Sequence, residues 1–212
     1  MANIAPFEIQ SEHYDAWFEE HSAIYKEELA AVKSLMPHFH NAIEIGVGTG
    51  RFAAPLGIQK GLEPSEKMAA IARKRGIEII PGSAEKMPLN DGVYDLVLMV
   101  TTICFVDDAA KVLTQIRRIL EDNGTVIIGF VDKNTPLGRR YQKHKGESRF
   151  YKTARFFSTE EVLELLKNAG FEKCTTVQTL FGDDLKNMRG GLKQGYGEGA
   201  FVVIKCQKGA LR

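Results

Sequence analysis

The run Glu44-Ile45-Gly46-Val47-Gly48-Thr49-Gly50 constrains this chain more than any other. A short apolar segment, AIEI, leads straight into three glycines at alternate positions. Glycines there let the backbone turn sharply from strand to helix and approach a bound group, while the following helical turn offers free N–H groups. Glu63 follows Gly46 by 63 − 46 = 17 residues, at the predicted end of a second strand. A carboxylate in that place can accept hydrogens from both hydroxyls of a ribose. The bland alternative is a plain tight turn with a solvated Glu63. The loop, the acid and an α/β context together favour a nucleoside-bearing cofactor. The spacing is G-x-G-x-G, whereas a dinucleotide pyrophosphate is seated by G-x-G-x-x-G/A, and only a brief helical turn comes next.

Strands and helices alternate through the rest of the chain. Tyr14, Trp17, Phe18, Ile24, Tyr25, Leu29, Val32 and Leu35 recur at roughly helical spacing, which predicts one helix from Ser11 to Met36, ended by Pro37. SEKMAAIARKRG predicts a helix with Ser65 as N-cap and Gly76 at its C-terminal end. IEIIPG and VYDLVLMV predict a third and a fourth strand, the fourth apolar enough to be covered on both faces. DDAAKVLTQIRRILEDNG reads as an amphipathic helix closed by Asn-Gly, and TVIIGFV as a fifth strand. STEEVLELLKNAG carries a capping box, Ser158 with Glu161. FEKCTTVQTLF and GAFVVIKCQ predict two last strands with no helix between them, hence an antiparallel hairpin at one edge. The pattern is that of an α/β fold, doubly wound, with a seven-stranded, mostly parallel sheet and a C-terminal antiparallel hairpin.

Composition narrows the function. A chain of 212 residues suits one domain and can bury its core without staples. With 28 Lys+Arg against 27 Asp+Glu the formal net charge is +1, which argues against holding nucleic acid through bulk positive charge. Cys104, Cys174 and Cys206 are odd in number and widely separated, so no disulfide framework and no CxxC metal clamp is expected. The five histidines are scattered, with His38 and His40 a lone HxH beside Pro37, and no metal site is expected. MANIAPFEIQ lacks a basic n-region and an apolar h-region, and no run is long enough to span a membrane; a soluble, cytoplasmic protein is the expectation.

These runs together resemble the class I S-adenosylmethionine-dependent methyltransferases, in particular the small-molecule branch that includes quinone-biosynthesis methyltransferases. The resemblance extends from about Tyr14 to the end. EIGVGTGRF is similar to the family's first motif, around the methionine moiety, and GLEPSEKMAAIA to its second, with Glu63 on the ribose. GSAEKMPL resembles the third, along the adenine; YDLVLMVTTICFVDD and RRILEDNGTVIIGF resemble the fourth strand with its exit and the approach to the fifth. The resemblance implies a Rossmann-like fold and S-adenosyl-L-methionine as cofactor. It places cofactor contacts at Glu44, Gly46, Gly48, Gly50, Glu63, Pro64, Ser83, Ala84, Glu85 and Thr101. Two departures stand out. Ser83 replaces the Asp many relatives carry, which leaves the adenine amine a weaker or backbone contact, and EDNG replaces a proline-glycine turn.

Methyl transfer from a sulfonium is an in-line displacement, helped chiefly by alignment and exclusion of water, so no catalytic residue is assigned. One domain over residues 1–212 is expected, with 1–37 as a helical lid and 132–157 as an insertion covering the acceptor site. Candidate acceptor residues are Tyr14, Thr102, Cys104, Phe105, Arg139 and Arg140, with Phe156 and Phe157 as further wall candidates. Cys104 reads as a small apolar wall residue, since the Pro-Cys and Asp/Asn-Pro-Pro-Tyr/Phe signatures of nucleobase methylation are absent around Thr101-Thr102-Ile103-Cys104. The lid is acidic (Glu8, Glu12, Asp15, Glu19, Glu20, Glu27, Glu28 against Lys26) and the insertion basic (Lys133, Arg139, Arg140, Lys143, Lys145, Arg149, Lys152, Arg155 against Glu147). Either these are solvated faces pairing loosely with each other, at under ~1 kcal/mol per contact, or the insertion's cations select an anionic small-molecule acceptor. The alternatives are an RNA methyltransferase, a non-catalytic S-adenosylmethionine-binding regulator and an NAD-dependent dehydrogenase.

Overall fold

The expected alternation folds into an eight-stranded sheet with helices on both faces. The computed structural model describes residues 4–210; the outermost ends of the expected domain and lid lie outside the described residues. The strands are β1 (Ala42–Ile45), β2 (Lys60–Glu63), β3 (Glu78–Pro81), β4 (Tyr94–Val100), β5 (Leu120–Val131), β6 (Phe171–Thr179), β7 (Lys193–Gln194) and β8 (Phe201–Lys208). Their order across the sheet is β3-β2-β1-β4-β5-β8-β6-β7. The first five are parallel, while β8 runs antiparallel between β5 and β6. The two-residue β7, from the glycine-rich connection, is an eighth strand beyond the seven expected.

The helices are α1 (Ala5–Ile9), α2 (Ser11–Glu20), α3 (Ser22–Leu35), α4 (Glu66–Lys74), α5 (Ala109–Ile119), α6 (Pro136–His144) and α7 (Thr159–Asn168). Alternate residues of β4 feed two cores. Val97 and Met99 pack with Leu113, Ile116 and Leu166 of α5 and α7, while Leu96, Leu98 and Val100 pack on the face holding Ala31 and Val32 of α3. Local signals behave as expected: the Ser65 hydroxyl caps α4 at Met68 N, and Ser158 with Glu161 forms the full capping box on α7. Glu121–Gly124 bulge out of β5, with Asn123 at φ +64, the left-handed turn EDNG was expected to make.

Two further expectations are corrected, the single N-terminal helix and the absence of a disulfide, and the insertion gains a helix the sequence left unassigned. The single helix 11–36 is two, broken at His21, which carries neither a glycine nor a proline signal; its ring stacks on Trp17 (4.6 Å) and its Nδ1 bonds the Trp17 carbonyl at the end of α2. The insertion contains a helix, α6, which starts at Pro136 and is capped by Thr135. Asp132 pins both ends of that insertion by accepting from Asn134 N, Thr159 N and Thr159 Oγ1. Finally, Cys174 and Cys206 form a disulfide. Thirty-two residues apart in sequence, they meet across β6 and β8, where the register shifts between Glu172 and Thr175.

Candidate active site

In this topology β1 leads to β2 and β3 on one side, while β4 and β5 lie on the other. The strand order therefore reverses between β1 and β4, and a crevice opens beyond their carboxyl ends. The glycine loop leaves β1 into that crevice. Gly46 N and Val47 N both donate to the Leu62 carbonyl (2.8 and 3.2 Å), tying the loop to the end of β2. Gly46 has φ +67, and a Cβ there would stand 2.3 Å from Thr102 Cγ2, so this position admits no side chain.

A cleft here is lined by the sequence-based candidates Gly46, Gly48, Glu63, Pro64, Ser83, Ala84, Glu85, Thr101, Thr102, Phe105 and Tyr14, and also by Ile4, Phe7, Leu62, Met68, Gly82 and Val106, which were not among them. Glu63 closes β2 and is only 7% exposed. Its Oε2 accepts from Gly48 N and its Oε1 from Ser65 N, both at 2.9 Å. Burial pushes its carboxyl up to about 7, against the pull of those two N–H groups. Thr101, at the exit of β4, adopts φ +52, a costly conformation for a β-branched residue, and is held by its N–H to the Gly129 carbonyl (2.8 Å). The Thr102 hydroxyl bonds the carbonyls of Gly46 and Val100. Glu85 accepts from Asp107 N.

Other candidates sit elsewhere. Glu44, 2% exposed, lies beneath the loop; burial, then the charge of Glu63, keeps its carboxyl well above the usual range although Ala53 N–H bonds it. Gly50 packs against Ala72 and Ile77. Cys104 belongs to a small recess with Phe156, Phe157, Tyr141 and Tyr151, its thiol pushed up to about 12 by burial. Arg139 bonds the Asn134 carbonyl, and Arg140 pairs with Asp184 (2.6 Å). Neither arginine lines the cleft or the chamber behind it.

That chamber encloses about 360 Å³. It shares Tyr14, Thr101 and Phe105 with the cleft and is walled by Trp17 and Phe18 of α2, Glu28 of α3, Tyr141 of α6, and Phe150 and Tyr151 beyond it. Tyr151 stacks on Tyr141 (5.3 Å) and Phe105 (5.8 Å). In the sequence Trp17 and Phe18 stand only in the apolar stripe of the N-terminal helix, and Tyr141, Tyr151 and Glu28 are not among the site candidates. A signal for Glu28 existed: it lies one turn from Ile24 and from Val32, on the buried stripe of its helix.

The acidic lid does not pair mainly with the basic insertion. Asp15 takes a two-point bond from Arg51 (2.9 and 2.8 Å) and one from Arg75 (2.8 Å), and Glu19 pairs with Arg51. The N-terminal segment is thus fastened to the turn that follows the glycine loop and to the end of α4. Burial works against the charge of Asp15, but its bonds to Arg51 and Arg75 outweigh that and hold it at about 2. A depressed carboxyl contributes stability that is present above its ordinary value near 4 and lost as pH falls through 2, here on the order of 2 kcal/mol. Asp15→Asn is therefore expected to lower the Tm by roughly 5 °C at pH 7, with the gap closing toward pH 2 in thermal melts. An equal deficit at both pH values would assign the loss to packing.

A doubly wound sheet with a glycine loop after β1, an acid closing β2 and a crevice at the reversal point is the Rossmann-like arrangement that seats a nucleoside-bearing cofactor. A family model described as a methyltransferase domain matches residues 43–128. The crystal structure of a Thermotoga maritima SAM-dependent methyltransferase, a "possible histamine N-methyltransferase", is 52% identical, covers 97% of this chain and 99% of that one, and superposes with a TM-score of 0.93. An uncharacterized protein of Methanocaldococcus jannaschii is 42% identical over 202 residues, 95% of this chain and 98% of its own. A demethylmenaquinone methyltransferase of Chlorobaculum tepidum is 28% identical over 157 residues, 62% of this chain and 65% of its own.

The chain belongs to the S-adenosylmethionine-dependent methyltransferases; it is an enzyme of that class, and S-adenosylmethionine is its cofactor. This sets aside the dehydrogenase and the non-catalytic regulator. The cleft suits that cofactor on its own geometry: a buried carboxylate has lone pairs left beyond its two N–H bonds, and a Cβ on Gly48 would narrow the gap toward Met68 (3.4 Å) and Tyr14 (3.8 Å). Among the described residues no group of acids, histidines and cysteines could hold a metal, and no helix is long and apolar enough to cross a membrane.

Proposed function

We propose that this enzyme methylates a small molecule held in the aromatic chamber behind Tyr14, Thr101 and Phe105. When bound, S-adenosylmethionine supplies a methyl group activated on a sulfonium. Glu63 takes the ribose hydroxyls, the turn from Ser83 to Glu85 lies along the adenine, and Gly46, Gly48 and Thr101 shape the methionine end. The lid (1–37) and the insertion (132–157) cover the acceptor and exclude water, which lets alignment dominate the rate. The observation that carries this reading is the adjoining of cleft and chamber through three shared residues. A 360 Å³ space falls within the range of small-ligand pockets, ~300–1,000 Å³.

Two acceptor classes come from relatives: an amine, from the name of the Thermotoga maritima enzyme, and a quinone precursor, from the demethylmenaquinone enzyme. The test is release of S-adenosylhomocysteine on incubation with S-adenosylmethionine and a panel of small amines, phenols, quinols and carboxylates, with RNA alongside. Turnover with at least one small acceptor is expected. Turnover with RNA alone, falling steeply with salt, would instead establish the nucleic-acid reading.

A further inference from the structure

Apart from the imidazoles of His13 and His144, every wall of the chamber but one is aromatic, aliphatic or neutral-polar, and the exception is Glu28. It is 6% exposed and has no hydrogen-bond or ion-pair partner among the described residues. The other buried acids differ: Glu63 and Asp132 each accept at least two N–H or O–H bonds, and Glu44, with its Oε2 unpartnered, still accepts one from Ala53 N–H. A buried carboxylate left alone is a costly arrangement unless something arrives to complete it. No lysine or arginine lines the chamber; the titratable groups facing it besides Glu28 are Tyr14, Tyr141, Tyr151, His13 and His144. Aromatic faces around a carboxylate complement a cation, and the groups there that could meet an anion are limited to the two imidazoles and the hydroxyls of the lining.

We infer that the acceptor is a small amine that enters as its ammonium ion, with Glu28 as its counter-ion and proton acceptor and Trp17, Tyr141 and Tyr151 as its aromatic walls. This rests on the methyltransferase reading and reverses the anionic acceptor that Arg139 and Arg140 suggested. The ammonium gives one proton to the Glu28 carboxylate, which frees the nitrogen lone pair. That nitrogen forms a bond to the methyl carbon as the carbon–sulfur bond breaks, its electron pair leaving on sulfur. The product is an N-methylammonium ion, and Glu28 returns its proton to water. Burial alone pushes Glu28 up to about 8, so at neutral pH it rests protonated; it releases that proton to water as the ammonium ion enters, and the carboxylate so formed is the one that accepts the ammonium's proton.

The probes are benzylamine, benzyl alcohol and benzoate, alike in shape and differing in charge, titrated calorimetrically into the S-adenosylhomocysteine-loaded protein. Benzylamine should bind at least ~10-fold more tightly than either of the others, and Glu28→Gln should remove that preference while leaving S-adenosylhomocysteine affinity within about twofold. A second readout is independent of ligand. A carboxyl raised on folding favours the folded state below its ordinary value and loses that advantage as pH rises through 8. Glu28→Gln should therefore raise the Tm at pH 9 relative to wild type by more than at pH 5. Benzoate binding as tightly as benzylamine, no binding of benzylamine at millimolar concentration, or an amine preference that survives in Glu28→Gln would overturn the inference. Failure of the wild type to bind S-adenosylhomocysteine would instead strike the methyltransferase reading itself.

Discussion

Gly46→Val is expected to lower stability by about 2–5 kcal/mol and to remove measurable S-adenosylmethionine binding. Two costs combine. A side chain forced into the left-handed region loses roughly 1–2 kcal/mol, and overpacking adds about 1–3 kcal/mol. The second cost is specific to this site, because the added Cβ would meet Thr102 Cγ2 at 2.3 Å and Oγ1 at 2.6 Å. Thr102 cannot simply rotate away, since its hydroxyl bonds the Gly46 and Val100 carbonyls and so couples the glycine loop to the exit of β4. The comparison that separates the costs is Gly92→Val, where φ is +62 and nothing stands within 4 Å of the added Cβ. Gly92→Val should show only the conformational loss and bind cofactor normally. Thermal melts and calorimetric titration of the two variants measure this. Similar behaviour of both would mean that the loop tolerates the crowding and that its shape does not set the site.

Glu63→Ala is expected to weaken S-adenosylmethionine binding by on the order of 1–3 kcal/mol, roughly 5- to 150-fold, as two charge-assisted hydrogen bonds are lost. The pH dependence carries more information than the size. Below about 7 the buried carboxyl of Glu63 holds a proton, and it must release it to accept from both ribose hydroxyls. Affinity should therefore rise with pH, by up to ~10-fold per unit below 7, and level off above it. In Glu63→Ala that slope should vanish. The cofactor-free protein should show the opposite sign. Because the folded-state carboxyl is raised, its contribution to stability is present below about 4.5 and is lost as pH rises through 7. A wild-type affinity that does not vary between pH 5.5 and 8 would remove Glu63 from the ribose.

What could be read from the sequence was what depends on near neighbours. Ser65 caps α4 and Ser158 with Glu161 caps α7 because each bond spans only three residues. The glycine loop and Glu63 were legible because strand, turn and acid follow one another along the chain, and the topology then folds them over one crevice. Contacts between distant segments were not legible. Asp15 meets Arg51 and Arg75 across 36 and 60 residues, so an acidic lid and a basic insertion looked like each other's partners when the lid's were in the core. Cys174 and Cys206 meet only because β8 inserts between β5 and β6. Arg139 and Arg140 lie in a polar run whose helical phase turns them to the Asn134 carbonyl and Asp184, while Tyr141 next in sequence faces the chamber. Charge alone points to Arg139 and Arg140, whereas the residue of α6 that lines the chamber is their aromatic neighbour Tyr141.

The most direct measurement is a crystal structure with S-adenosylhomocysteine bound. The ribose is expected on the Glu63 carboxylate, the adenine along the turn from Ser83 to Glu85, and the sulfur at Thr101 facing the chamber that holds Glu28. A nucleoside bound away from Glu63, or a sulfur turned from the chamber toward solvent, would contradict that expectation.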